Sequence, residues 1–257
     1  MDPVKIKIRY LDTASWQPAT TCNFTIGTGA DVWKIKIADH LLFIGELTKL
    51  LLPDEINRAG RYHREKDRQR FIVSRAALRV ILGKYMGLHP QGIHFEAGPN
   101  KKPFVKTTGA AVNYSVSHSD EWVTLAVSKI EVGIDTEIID RSFAYKEILA
   151  DNFSEKEIYF INKDRPTETF ILLWTRKEAI AKLTSQGLDE RLKEIPCLNG
   201  DHQTNSNIVN SSKAIQLVSF RLDSNNLATL AYESDSPANI QFLDINCGDF
   251  FVKMRTT

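Results

Sequence analysis

A chain of 257 residues with 42% hydrophobic and 25% charged residues has the composition of a soluble globular protein with room for a substantial core. A net charge of +1 provides no overall attraction for polyanions, so a nucleic-acid partner would need a local basic patch. The longest apolar cluster, Leu41 to Leu52, is broken by Gly45, Glu46, Thr48 and Lys49 and falls short of a membrane span. Cys22, Cys197 and Cys247 are odd in number, widely spaced and without a paired metal-ligand pattern, which points to a reducing cytoplasm.

Along the chain, Val4, Ile6 and Ile8 alternate with Lys5, Lys7 and Arg9 and predict a strand, the start of a β-rich lead-in over residues 1–30 that ends at Gly27-Thr28-Gly29. Val32 to Ile37 predicts another strand. Pro53-Asp54-Glu55 opens a helix, with proline and acids in its first turn. A longer helix runs from Asp67 to Met86 and stops at Gly87. Gly98-Pro99-Asn100 signals a turn, and Val112–Val116 and Trp122–Val127 read as strands around a polar turn, Ser117-His118-Ser119-Asp120. Ile130 to Ile138 is a further strand, and Ser154-Glu155-Lys156-Glu157 has the form of a capping box. Thr167 to Ser185 is the long helix of the second half. Residues 199–213, rich in Asn and Ser, predict a surface loop, and Ala214–Leu222 with Leu227–Tyr232 a hairpin across Asp223-Ser224-Asn225-Asn226. Strands and helices mix without regular βαβ alternation, which favours an α+β fold.

On a strand, Asp135 and Glu137 point to one face, with Thr136 turned away. A D-x-E pair alone is most often the solvent face of an edge strand, but the apolar approach Val132-Gly133-Ile134 places these acids at the end of a buried one. On the long helix, Trp174, Glu178 and Lys182 fall at i, i+4 and i+8. Glu178 and Lys182 alone would read as a surface ion pair; the tryptophan marks a packed face. Three carboxylates and a lysine can meet on one hard divalent cation and a phosphate. Ser117 and His118, adjacent on a strand, cannot easily act as a nucleophile–base pair, but in a turn they can offer groups to phosphate. Arg64, Arg68, Arg75 and Arg79 share one helical stripe, which predicts a solvated face. Arg70 departs from it and needs a partner, either Asp67 or a ligand phosphate. Lys102 is a surface lysine or another phosphate contact.

In order along the chain, Asn113-Tyr114-Ser115-Val116-Ser117-His118-Ser119, Val132-Gly133-Ile134-Asp135-Thr136-Glu137, Phe153-Ser154-Glu155-Lys156-Glu157 and Trp174-Thr175-Arg176-Lys177-Glu178-Ala179-Ile180-Ala181-Lys182 resemble the 4′-phosphopantetheinyl transferases of the larger, monomeric type. Leu52-Pro53-Asp54-Glu55 through Arg79, and Lys101-Lys102-Pro103, extend the likeness to roughly residues 31–190. The resemblance implies two similar halves in a pseudo-two-fold arrangement, each a small antiparallel sheet on a helix, divided into 1–130 with its lead-in and 131–257.

It implies transfer of 4′-phosphopantetheine from coenzyme A to a serine of an apo acyl or peptidyl carrier protein, with release of adenosine 3′,5′-bisphosphate. Asp135, Glu137 and Glu178 would hold Mg²⁺, Glu178 would take the serine proton directly or through a water, and Lys182 would bind the pyrophosphate. Arg58, Ser117 and His118 would contact the nucleotide end, notably its 3′-phosphate, and Lys102 the phosphates or adenine side. Glu157 matches an acidic position with a supporting role in some members and stands outside this set. A monomer without nucleic-acid or membrane partners follows. Three features depart from the pattern: Lys101 replaces a frequent glycine, Thr136 replaces an aliphatic residue, and a glycine-rich run is reduced to Ser185-Gln186-Gly187-Leu188. Two other classes fit the same residues. A metal-dependent phosphodiesterase or nuclease would use the same acids, and a binding module would use the arginine-rich helix without catalysis.

Overall fold

A computed structural model describes residues 3–98, 102–106, 112–187, 189–246 and 248–254. Lys101, Leu188, Cys247 and most of the turn at Gly98-Pro99-Asn100 lie outside them. The chain begins with strands β1 (Pro3–Tyr10), β2 (Trp16–Pro18) and β3 (Ala30–Lys36). Helices α1 (Ile44–Thr48), α2 (Pro53–Ala59) and α3 (Glu65–Met86) follow. Next come β4 (Phe95–Ala97), β5 (Pro103–Val105), β6 (Asn113–Ser119), β7 (Trp122–Ser128) and β8 (Val132–Ile138). The second half continues with α4 (Leu149–Asn152), α5 (Glu155–Lys163) and α6 (Pro166–Thr184). It ends with β9 (Gly200–Asn205), α7 (Ser206–Val209), β10 (Ile215–Arg221), β11 (Asn226–Glu233), β12 (Ile240–Ile245) and α8 (Phe250–Met254).

One sheet has the order β2-β12-β3-β7-β6 and the other β8-β11-β10-β1-β9. Within them the same unit occurs twice. A strand, a long helix and a hairpin give β3-β7-β6 with α3 in the first half and β8-β11-β10 with α6 in the second. The α+β, two-half expectation holds. The long helices cover the outer faces: Val73, Ala77 and Ile81 of α3 pack on Trp33, Leu125 and Val127, and Ala179, Ile180 and Leu183 of α6 on Ile6, Leu217 and Ala231. The inner faces meet each other through Val32, Ala126, Ile134 and Leu230.

Four expectations are corrected. The lead-in does not stay with the first half, because β1 pairs in parallel with β10 in the second-half sheet while β12 returns to pair in parallel with β2 and β3. Alternation identifies a strand correctly but carries no information about which sheet the strand joins. Residues 199–213 are not one surface loop: β9 pairs antiparallel with β1 as an edge strand, where polar side chains suit the exposed face. Ser117-His118-Ser119 is strand, and the turn shortens to Asp120-Glu121, with Asp120 at φ 48°. Arg79 is not solvated. It is 1% exposed, forks onto Glu55 at 2.7 and 2.8 Å, and donates to the carbonyls of Pro90 and Ile93. A guanidinium with every side satisfied is the form in which an arginine can be buried.

Candidate active site between the two halves

Edge strands β6 and β8 face each other where the sheets meet, and serines join them. Ser115, Ser117 and Ser119 accept hydrogen bonds from the backbone N–H groups of Ile134, Thr136 and Ile138. Alternate serines meet alternate N–H groups because both strands have a period of two. On the other face of β8, Gly133 lets α6 come in: a Cβ there would lie 2.1 Å from the carbonyl oxygen of Ala179. Asp135 and Glu137 share that face with Gly133, so the close approach sets Glu178 and Lys182 over them.

Lys182 Nζ lies 2.7 Å from Asp135 Oδ1 and 2.9 Å from Ser117 Oγ, and Ser117 donates to the same carboxylate oxygen at 3.0 Å. Ser119 donates to Glu137 Oε2 at 2.9 Å. Glu178 and Lys182 line a cavity of about 220 Å³ with Lys102, Pro103, Tyr114 and Val116. Burial, together with the charge of Asp135, pushes both Glu137 and Glu178 up to about 7. Such acids exchange protons near neutrality, the range a general base needs.

Among the described residues no three His, Cys, Asp or Glu side chains already form a metal cage. The donor set nevertheless fits a hard cation. Asp135 Oδ2 is buried without a hydrogen-bond partner among the described residues, and burial first and the charge of Asp135 second raise the proton affinity of both Glu137 and Glu178. All the groups on offer are carboxylate oxygens.

The raised acids carry a stability consequence. Their folded pKa lies above the unfolded one, so they favour the folded state below about pH 4.5 and lose that contribution as pH rises through about 7. Without added cations, urea denaturation should show a loss on the order of 3 kcal/mol between pH 5 and pH 8. Glu178→Gln should flatten much of that slope; an unchanged slope would show that these acids are not strained.

The remaining candidates spread around this centre. His118 turns to the opposite side of β6 from Ser117 and is exposed; partial desolvation first and the charge of Arg70 second lower its proton affinity. Arg70 has Asp67 as partner at 2.8 Å. Lys102 crosses between the halves, donating to Glu131 at 3.1 Å and to the carbonyl of Leu183, at the end of α6, at 3.0 Å. Arg58 is not in the acid cavity but in an adjoining cleft of about 640 Å³ with Phe71, Arg75, Arg79, His94 and Phe95. Pro103 belongs to both walls.

Sequence reasoning missed the buried charges that anchor α6. Lys177 is fully buried, donates to the carbonyls of Leu192 and Ile195, and lies 3.3 Å from Glu157. Glu157 also accepts from the N–H and thiol of Cys197 and completes the predicted capping box with Ser154. Arg176 donates to Ser219, Asn199 and the carbonyl of Cys197. The capping box was the signal at hand; the basic pair Arg176-Lys177 beside Glu178 gave no sign of being buried.

Comparison with known proteins addresses the same two halves. Residues 40–130 match a model described as 4′-phosphopantetheinyl transferase, N-terminal, and residues 131–232 match the 4′-phosphopantetheinyl transferase superfamily. The chain is similar to a putative 4′-phosphopantetheinyl transferase of Synechocystis, 31% identical over 151 residues, which are 57% of this chain and 61% of that relative. It is 29% identical to 4′-phosphopantetheinyl transferase HetI of Nostoc over 188 residues, 70% of this chain and 78% of that one. With 4′-phosphopantetheinyl transferase Sfp of Bacillus subtilis it shares 24% identity over 194 residues, covering 73% and 85%. The tandem models join at the residue where β7 gives way to β8, beside the serine-linked seam, and the chain belongs to the 4′-phosphopantetheinyl transferase family.

Proposed function

We propose that the chain moves the 4′-phosphopantetheine group of coenzyme A onto a serine hydroxyl of an apo acyl or peptidyl carrier protein, releasing adenosine 3′,5′-bisphosphate. The observation that carries this reading is the cluster at the seam, where a buried oxygen of Asp135 without a partner among the described residues lies beside Lys182, Ser117 and two further carboxylates, Glu137 and Glu178. Asp135, Glu137 and Glu178 are the residues to hold Mg²⁺. Bound there, the ion supplies positive charge against the pyrophosphate.

The chain's own groups account for the rest. Lys182, 32% exposed on its side chain, swings from Asp135 to the pyrophosphate and steadies the charge that grows on the leaving phosphate. Glu178 receives the serine proton directly or through a water as the serine oxygen–phosphorus bond forms and the anhydride bond breaks. As a carboxylate it accepts that proton as the bond forms and returns it to solvent afterwards. Ser117 keeps Asp135 in place from β6, so residues of both halves define one reaction centre. The nucleotide end extends past Lys102 and Pro103 toward Arg58.

The experiment is incubation with coenzyme A, Mg²⁺ and a panel of apo carriers, read by intact mass. One added phosphopantetheine on at least one carrier is the expected result. No mass shift on any carrier of the fatty-acid, polyketide or peptide type overturns the reading.

A further inference from the structure

Lys102 starts in the first half and holds the second. Its backbone belongs to the β4–β5 hairpin, where the Gly98 N–H donates to the Lys102 carbonyl at 2.8 Å. Pro103, the first residue of β5, restricts the residue before it to extended backbone. The hairpin is fixed to the first-half core through Phe95 and Val105. From this base the side chain crosses the seam with 21% of its surface exposed. Its ammonium donates to Glu131 Oε2 at 3.1 Å, to the carbonyl of Val132 at 3.4 Å and to the carbonyl of Leu183 at 3.0 Å. An ammonium has three N–H donors, and these three acceptors account for them.

The acceptors come from the two elements that build the acid centre. Glu131 and Val132 stand at the start of β8, the strand that carries Asp135 and Glu137. Leu183 lies in the last turn of α6 and follows Lys182 directly. A helix leaves its last carbonyls without a partner of its own, and a cation there also meets the negative end of the helix dipole. The Thr184 carbonyl takes Asn210 of the same half at 3.2 Å, whereas the Leu183 carbonyl takes a lysine of the other half. Lys102 lines the Glu178–Lys182 cavity as well, so the tie passes beside the reaction centre and not through a remote part of the seam. Ordering a long side chain costs conformational entropy, which three acceptors in fixed positions offset.

We propose that Lys102 is a positioning residue for the transfer: from the first half it pins the end of α6 to the start of β8 and thereby sets Lys182 against Asp135. The inference rests on the transfer reading above. It gives Lys102 a task inside the protein in place of the phosphate contact expected from the sequence.

The test combines single-turnover modification of a responsive carrier with calorimetric titration of coenzyme A without carrier. Both are run on the wild type, Lys102→Met, Lys102→Arg, Glu131→Gln and the double variant Lys102→Met/Glu131→Gln. Lys102→Met keeps the apolar stem and loses the ammonium. It should slow turnover about ten- to a hundredfold, the scale of a small displacement of reacting groups. Affinity for coenzyme A should stay within about threefold, because the loss falls on the charge that Lys182 meets only as the bond breaks. Lys102→Arg still reaches Glu131 and a carbonyl and should recover part of the rate. Glu131→Gln should slow turnover about two- to fivefold. The double variant should be no slower than Lys102→Met alone, since one tie is lost only once.

A fall in affinity that matches the fall in turnover, with Glu131→Gln unaffected, marks Lys102 as a phosphate contact and overturns the proposal, as does an unchanged turnover. A wild type that modifies no carrier removes the transfer reading and the proposal with it. A wild type that modifies one, with variants giving either of those two results, removes the proposal alone. Glu131→Gln alters the charge of its side chain and keeps the shape, so it decides the matter if Lys102→Met does not fold: turnover must fall at constant affinity.

Discussion

Asp135→Ala and Glu178→Gln are each expected to lower carrier modification by more than about a thousandfold while leaving the fold intact. Asp135 lies at the centre of the cluster: one oxygen takes Lys182 and Ser117, and the other has no partner among the described residues. Its removal takes away a proposed cation ligand and the anchor of the lysine together. Glu178→Gln keeps the shape of the side chain and removes its ability to accept a proton. Lys182→Ala should be nearly as damaging, by about a hundred- to a thousandfold, through the leaving-group charge it no longer meets. The effects will not add, since the groups act as one unit. Single-turnover modification of one responsive carrier, with circular dichroism as the check on folding, measures all three. Retention of more than about a tenth of wild-type rate by Glu178→Gln would exclude it as the proton acceptor.

How much of this was legible depended on whether a pattern was local. Asp135 and Glu137 on one strand face, Glu178 and Lys182 one helical turn apart, and the arrest of α3 at Gly87 all follow from periods of two and 3.6 residues. The partner of Arg79 did not, because Glu55 lies 24 positions away on another helix and a helical stripe places charge outside by default. The serine ladder was partly visible. Ser115, Ser117 and Ser119 alternate as strand residues should, but polar composition suggested a turn. Three hydroxyls at a seam satisfy β8 N–H groups that would otherwise be buried unpaired. The crossing of β1 and β12 between sheets had no local signature at all, because strand alternation encodes a buried face and not the identity of the neighbouring strand.

The alternative readings of the same residues change weight accordingly. A binding module built on the basic helix needs an exposed stripe. Arg64 and Arg68 are exposed, but Arg79 is buried and Arg75 is stacked on Phe71 and Phe95, so half of that stripe faces inward. What the inward half does instead is wall the cleft beside the acid cavity. The arginines of α3 and Glu178 and Lys182 of α6 thus belong to adjoining spaces, although they come from different halves of the chain.

Gly133→Ala should be strongly disruptive, because the added methyl meets the backbone of α6. The added Cβ would stand 2.1 Å from the Ala179 carbonyl oxygen and 2.4 Å from the Leu183 N–H nitrogen. Both are backbone atoms of α6, so no side chain can swing aside; helix and strand must separate by about an ångström or more. That separation opens the contacts of Ala179, Ile180 and Leu183 with the sheet, and overpacking of this kind costs about 3 kcal/mol or more. It also lifts Glu178 and Lys182 away from Asp135, and displacement of reacting groups by about 1 Å costs on the order of a hundredfold in rate. Chemical denaturation should therefore show the stability loss, and carrier modification at a temperature where the variant is still folded should show the rate loss separately. A variant with wild-type stability and turnover would mean that α6 does not rest on β8 through this glycine. In that case the convergence of Asp135, Glu137 and Glu178 on one centre would have to be abandoned along with it.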